Sequence, residues 1–440
     1  MMLGNIIISI LIIYFWEEIG MKNGKMRVLV CFAAGVMAVL GAGACKYSPK
    51  KLEAAELTAN FSFAKAAGGT EIKQDVSDGL NGFGAELLKN VAKDERGKNV
   101  LVSPLSAAAC LGMIANGAEG ETRAEFESAF GGNVEGVNAV INKILSDSGN
   151  EVKLANSVWI RDGAVDVEEN FLKTVKEIYN AEVYRSAFNA QTLKDVNNWC
   201  LNKTDGMIKD VLDEIDPRDM IYLINALLFD AKWQTEYEKK DIKSDYFTTY
   251  GGESKKVEML SSTESAYLDF GNADGFLKRY KGGKYSFLGI LPDENVDIYD
   301  FIASLDGEKY KKAFEADDSD NEYPVVVKAG IPEFSFDFSK NLNDTLQDMG
   351  IKKAFSDEAE FDKMGRAVVG DLYLGFVLQK TRIELDRNGT RAAAITIGGM
   401  KGESAPPTEN IVIILNRPFV FGIIDNATHM PLFLGVATDL

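Results

Sequence analysis

The sequence predicts an α+β protein built as one large domain, and three observations carry that expectation. Apolar residues recur at helical spacing, as in Leu80, Phe83, Leu87, Leu88 and Val91. Elsewhere they alternate with the two-residue period of a strand, as in Leu154 to Ile160 and Ile331 to Phe338. Between residues 76 and 440 there is no long low-complexity linker and no internal repeat, so one domain is a simpler reading than the two or three that length alone would allow. A composition of 46% hydrophobic and 26% charged residues is that of an ordinary globular protein.

The N-terminus stands apart. Met21-Lys22-Asn23-Gly24-Lys25-Met26-Arg27, the apolar run Val28 to Leu40 and the small residues Gly41 to Ala44 read as an export signal, 1–44, cleaved before Cys45. The pattern is similar to a bacterial lipoprotein signal, which makes Cys45 a lipidation site and the protein an outer-membrane or cell-surface lipoprotein. Ala42 stands where that motif more often has Leu, so secreted and periplasmic locations stay open. The apolar stretch Ile6 to Trp16 is short for a bilayer span and reads as part of an unused upstream start. Without the signal, cations fall from 48 to 45 and anions from 66 to 64, a net charge of −19. Such an acidic chain repels nucleic acid, and its membrane contact is expected through the lipid alone. Only Cys110 and Cys200 remain for the body; both sit in apolar helical patterns and read as buried free thiols.

Along the chain, residues 45–75 read as a polar tether in which Ala59 to Ala64 has the composition to begin packing. A helix follows from Asp75, and Thr122 with Glu125 forms a capping box for another through Phe130. Phe171, Val175, Ile178 and Tyr179 mark one face of a helix. Strands are expected at Val257 to Leu260, Phe287 to Pro292 and Ile331 to Phe338, the last with its aromatics on one face. Leu342, Leu346 and Met349 give a helix stopped by Gly350. Leu372 to Asp386 reads as a long strand, and Ile411 to Ala437 is apolar and strand-like.

Residues 387–410 have a double character. Thr390, Ala392, Ala394, Thr396, Gly398, Met400 and Gly402, taken alternately, are all small or apolar, while Arg391 and Lys401 fall in the other set. The segment can therefore lie in a sheet with the first set inward and both cations in water. Yet Gly398-Gly399, Gly402 and Pro406-Pro407 suit an exposed, protease-accessible loop.

That segment, with Gly389-Thr390-Arg391-Ala392-Ala393-Ala394 before it and Asn416-Arg417-Pro418-Phe419-Val420-Phe421 after it, resembles the serpin family. Asn99 to Ser106, Gly117 to Thr122, Leu154 to Ile160, Val196 to Ile208 and Leu223 to Trp233 extend the resemblance over residues 76–440. It implies a large mixed main sheet, smaller sheets, eight to nine helices and an exposed reactive-centre loop. The implied activity is suicide inhibition of serine, and by extension cysteine, endopeptidases: the protease cuts the loop, and the loop inserts into the main sheet with the acylated enzyme attached. Gly389, Thr390, Arg391, Ala392, Ala393, Ala394, Ile395 and Thr396 are the implied hinge. Ser103, Ser106, Asn225, Trp233 and Gln379 map to the sheet-opening region, Gln379 standing where many members have histidine. Arg387 and Arg391 stand where Glu is common, and Ile395 is larger than the usual alanine. The helix at Phe171 to Tyr179 would lie across the sheet and yield during insertion, and Val257 to Leu260 and Phe287 to Pro292 would share a second sheet.

By the family's spacing the scissile residue lies fourteen after the hinge glycine, placing the cut at Glu403-Ser404. From Gly389 to Pro418 the loop is four residues longer than is common, so counting from its far end favours other bonds. Lys401-Gly402 and Met400-Lys401 are the rivals. The alternative on this scaffold is a non-inhibitory binding protein or protease substrate; a monomer is expected either way.

Enzyme chemistry is not favoured. The single histidine, His429, falls in a turn-like stretch and reads as a surface residue. A nucleophilic hydrolase would need a base beside its Ser or Cys, and a histidine-based zinc site is excluded. The glycines at 398, 399 and 402 lack the strand and helix of a phosphate loop, and no carboxylate spacing singles out a glycosidase pair. No cofactor and no metal is expected.

Overall fold

A mixed eight-stranded sheet dominates the computed structural model, which describes residues 48–67, 72–209, 211–315, 325–368, 370–390 and 410–440. The expected export signal with Cys45, the hinge residues Arg391, Ala392, Ala393, Ala394, Ile395 and Thr396, and the bond candidates Met400, Lys401, Gly402, Glu403 and Ser404 lie outside the described residues. In chain order, β1 (Ala55–Glu56) precedes α1 (Gln74–Asp94), and β2 (Val100–Val102) leads into α2 (Pro104–Ala115). Next come α3 (Gly120–Phe130), α4 (Val134–Asp147), β3 (Val152–Arg161), β4 (Val165–Val167), α5 (Glu169–Tyr179), β5 (Glu182–Ser186) and α6 (Ala190–Lys203). The middle holds β6 (Ile221–Phe229), β7 (Ala231–Lys232), β8 (Ile242–Thr248), β9 (Ser254–Glu264), β10 (Ala266–Asp269), β11 (Ala273–Arg279) and β12 (Tyr285–Pro292). After α7 (Ile298–Ser304) and α8 (Gly307–Glu315) come β13 (Val326–Pro332), β14 (Phe334–Asn341), α9 (Asn343–Asp348), β15 (Gly365–Ala367), β16 (Phe376–Asp386) and β17 (Gly389–Thr390). The chain closes with β18 (Asn410–Ile414), β19 (Phe419–Asp425) and β20 (Pro431–Ala437).

The main sheet runs β1-β5-β3-β6-β16-β17-β7, with β14 on the other side of β16. A second sheet, β10-β11-β12-β19-β20-β2, and a third, β18-β13-β9-β8, complete the α+β architecture with nine α-helices among the described residues. Helix α2 is buried along its whole length, because Leu105, Ala107, Ala108, Ala109, Leu111, Met113 and Ile114 leave it apolar all round. It packs on both β6 of the main sheet and β20 of the second. On the opposite face of the main sheet, Val196, Trp199 and Cys200 of α6, with Ile208, Val211 and Leu212 after it, pack on Trp159, Tyr222, Ile224 and Leu378.

Several expectations are corrected. The helix lying on the main sheet's face is α6; Phe171, Val175 and Tyr179 instead turn α5 toward α2 and α4, because their apolar stripe matches that interior. Val257 to Leu260 lies in the third sheet and Phe287 to Pro292 in the second. Ile331 to Phe338 is divided between β13 of the third sheet and β14 of the main one, and Pro332, without an N–H, ends the first. Thr122 and Glu125 form no capping box. Thr122 Oγ1 accepts the Glu360 N–H, while Glu125 Oε2 accepts the N–H groups of Lys352 and Lys353, so partners distant in sequence took both side chains. His429 is half-buried, its ring stacked 4.5 Å from that of Phe314. Cys110 and Cys200 are buried and unbridged, and burial pushes both thiols up, Cys110 to about 12.

Part of the expected tether is also a strap. Glu53 and Ala54 donate their N–H groups to Asp195 Oδ2 of α6 at 3.1 and 2.8 Å, and Lys50 N–H donates to Asn202 Oδ1. β1 then pairs with the β5 edge, and Ala64 N–H donates to Glu177 O at the end of α5. Removing the shared acceptor by Asp195→Ala is expected to cost about 1–2 kcal/mol. A lowered denaturation midpoint, with faster amide exchange at Glu53 and Ala54, checks this; unchanged exchange there would contradict the strap.

Candidate functional site

The seam between β6 and β16 concentrates the fold's buried polar groups. Asn156 of β3 pairs across from Asn225 of β6, and Asn225 is in register with Gln379 of β16, so three amides form a row across three neighbouring strands. All three are buried. A buried amide is costly unless bonded, and α2 supplies the partners. Ser103 caps α2, its Oγ accepting the Ser106 N–H at 3.2 Å and donating to Leu432 O at 2.7 Å. The Ser103 N–H donates to Gln379 Oε1 at 2.8 Å, and Gln379 Nε2 donates to Ser103 O at 2.9 Å. Ser106 Oγ donates to Asn225 Oδ1, Asn225 Nδ2 to Asn156 Oδ1, and Asn156 Nδ2 to Tyr179 O. Ser103 thus both caps the helix and pins the strand. An amide carries no titrating proton, so the joint at Gln379 keeps its bonds across pH where a histidine would change its donors.

Above this row the two strands part. β16 pairs with β6 only from Phe376 to Gln379. Higher up, the chain turns after Asp386 and β17 comes back antiparallel, Thr390 lying between Leu385 of β16 and Ala231 of β7. Asp386 Oδ1 accepts the N–H groups of Asn388 and Gly389 and makes the turn. Gly389 is required here: its φ is +155°, and a Cβ would lie 2.2 Å from Ala231 O. Between Thr390 and the polar row no described residue pairs with β16 on the side facing β6. A cleft of about 530 Å³ lies against β16, lined by Gly206 to Lys209, Lys380 to Arg382, Asp337 and Glu384. A water-sized void of about 10 Å³ lies behind it among Leu228, Phe229, Ile383, Thr390 and Phe433. Lys380 Nζ donates to Lys209 O at 2.7 Å, tying the segment after α6 across the cleft.

The turn is held by an aromatic group. The Trp233 indole donates to Asp386 O at 2.9 Å and its backbone N–H to Asn388 O at 3.0 Å. Its ring stacks on Tyr280 with centroids 4.6 Å apart and planes 10° from parallel. The Tyr280 hydroxyl shares a 2.6 Å hydrogen bond with Thr390 Oγ1, and burial pushes that phenol far above its ordinary range, so the contact persists at any physiological pH. Arg387 forms a bidentate pair with Glu333, Nε at 2.8 Å from Oε1 and Nη2 at 2.9 Å from Oε2.

The structure therefore brings Ser103, Ser106, Asn225 and Gln379 together, and sets Trp233, Gly389 and Thr390 as a second group around the turn. Sequence reasoning missed Asn156, Tyr280, Glu333 and Asp386. Asn156 was detectable as a polar residue inside the alternating run Leu154 to Ile160; Tyr280 and Glu333 carry no local signal, since their partners lie far along the chain.

Comparison with known proteins adds the following. The family profile described as Serpin (serine protease inhibitor) matches residues 78–440. Glia-derived nexin of Rattus norvegicus is 30% identical over 369 residues, 80% of this chain and 90% of that protein. The crystal structure of a thermophilic serpin, tengpin, in the native state matches with a TM-score of 0.80 at 36% identity, covering 88% of this chain and 100% of tengpin. Tengpin in the latent state matches with a TM-score of 0.72 at 35% identity, covering 86% and 100%.

Replacing Gln379 by Leu strands the N–H of Ser103 in a dry interior and removes one of the two hydrogen bonds to its C=O, which keeps the Ala107 N–H. Gln379→Leu is expected to lose about 2–4 kcal/mol of stability, read as a lower midpoint in denaturant. A midpoint unchanged from the wild type would show that the amide joint does not hold the seam.

Proposed function

The chain belongs to the serpin family, and we propose that it inhibits serine endopeptidases as a suicide substrate whose cleaved loop becomes the missing strand of the main sheet. The observation that carries this reading is β17, a two-residue strand already seated between β16 and β7, above the stretch where no described residue lies between β16 and β6. Continuing its register by twos from Thr390 sets Ala392 between Ile383 and Phe229, Ala394 between Thr381 and Leu227, and Thr396 between Gln379 and Asn225. All three are small, and the neighbouring side chains on that face are buried. Thr396 would replace the direct pairing of Gln379 with Asn225 and offer its hydroxyl to the polar row.

The target's serine attacks the scissile carbonyl, the peptide bond opens to an acyl-enzyme, and insertion carries the enzyme away before water can free it. Glu403-Ser404 is the proposed bond, with Lys401-Gly402 and Met400-Lys401 as rivals, because a fourteen-residue strand spans roughly 46 Å, about the reach a long central strand needs. The target would then accept an acidic residue. We assign residues 1–44 to an export signal and Cys45 to lipidation, with secretion as the alternative, which would put the loop in reach of proteases outside the cell. A protein that works by this route is an inhibitor rather than a catalyst.

Incubation with a Glu-specific protease is expected to give a band that survives denaturation at the summed mass, with a released peptide that begins at Ser404; with trypsin the corresponding peptide would begin at Gly402. Cleavage by both without such a band, and without a rise in thermal stability of the cut protein, would overturn the proposal.

Three substitutions separate the parts. Thr390→Arg places an unpaired cation on the buried face at a cost of several kcal/mol and should turn the inhibitor into a substrate, cut at the same rate without trapping. Lys401→Ala should abolish any inhibition of trypsin while Glu403→Ala leaves it intact; equal losses would refute the assignment of the bonds.

A further inference from the structure

Beside the turn sits a buried cation that none of the preceding contacts uses. Lys278 of β11 is 3% exposed. Its Nζ lies 3.0 Å from Glu264 Oε1 at the end of β9, 4.5 Å from the centroid of the Tyr237 ring and 5.5 Å from that of Trp233. Both residues grip the loop's departure: Trp233 by its indole N–H to Asp386 O and its backbone N–H to Asn388 O, and Tyr237 by its backbone N–H to Arg387 O at 3.4 Å. The Tyr237 hydroxyl is paired with Ser262 Oγ, on the strand that carries Glu264. A lysine in a dry site is expensive unless its charge is fully engaged, and here the carboxylate and two aromatic faces engage it. The ammonium thereby fixes both rings in one arrangement, and through the Trp233–Tyr280 stack it fixes the hydroxyl that holds Thr390.

We propose that Lys278 and Glu264 are positioning residues for loop insertion: the buried ion pair locks Trp233 and Tyr237 so that β17 stays seated as the first pair of the new strand. This rests on the inhibitory reading above. Insertion races against hydrolysis of the acyl-enzyme, so a loosened starting pair slows the productive branch and more inhibitor is lost as cleaved substrate.

The test uses the whole protein and Lys278→Met, which keeps the apolar stem and removes the charge, with Glu264→Gln and the double variant beside it. Each is mixed with excess Glu-specific protease. Insertion is followed by stopped-flow tryptophan fluorescence, and the inhibitor consumed per protease trapped is counted on denaturing gels. The rate of loop cleavage is the internal control. The expected result is about tenfold slower insertion in both single variants, with a several-fold rise in inhibitor consumed. The double variant should be no worse than either single one, because one pair acts as a unit. A lowered unfolding midpoint with unchanged insertion rate and unchanged consumption would mean that the pair is merely structural, and would overturn the proposal. A wild-type protein that is cut yet neither inserts nor traps would overturn the inhibitory reading itself and this inference with it, an outcome distinct from the first because it appears before any variant is compared.

Discussion

The short pairing of the two central strands of the main sheet is the constraint on which the other features depend. β6 and β16 run parallel and meet over only the four residues from Phe376 to Gln379, and above that line a small void lies between Leu228 and Phe229 on one side and Ile383 on the other. Unpaired strand edges are costly in a dry interior and hazardous in an open one, so something must close or cover them. Three devices do this: the amide row below, β17 above, and the segment 206–209 laid across the front and tied by Lys380. Each holds by a few hydrogen bonds.

The amide row reaches further than the seam. Asn156 donates to the backbone of Tyr179, whose hydroxyl bonds Asn138 of α4, and Asn138 exchanges hydrogen bonds with Asn116 at the end of α2. A change at the seam is thus connected by direct bonds to the C-terminal ends of α5 and α2 and to the first half of α4. The strap at residues 50–64 joins α6 to α5 along the sheet's outer edge by a separate route. Opening the seam would require β3 and β5 to move with whatever is fastened to them.

The charge at the turn is answered locally. By the resemblance to serpins Arg387 and Arg391 stand where Glu is common, and Arg387 is met by Glu333. A bidentate guanidinium–carboxylate pair is directional in a way that a lysine pair is not, which suits the end of a strand that must leave at a set angle. Lys278, one strand behind, is the contrasting case of a charge held wholly by the interior.

Much was legible in the chain alone, because the relevant signals are local. Alternation in β14 and β16 and the helix faces of α1 and α9 are properties of neighbours in sequence, which fix side-chain direction through φ and ψ. What failed were statements about partners. Thr122 and Glu125 have the spacing of a capping box, yet Glu360, Lys352 and Lys353 claimed them. Val257 to Leu260 and Phe287 to Pro292 look alike as strands and belong to different sheets. The helix on the face of the main sheet proved to be α6, since the stripe of α5 is equally apolar and only packing decides what it meets. The strand period and the hinge glycine were therefore determined by sequence, whereas the amide row, the grip of Trp233 and Tyr280 on the turn, and the pairing of Lys278 with Glu264 were decided by tertiary structure, because hydrogen bonds and buried charges are satisfied by whichever groups the fold brings within about 3 Å.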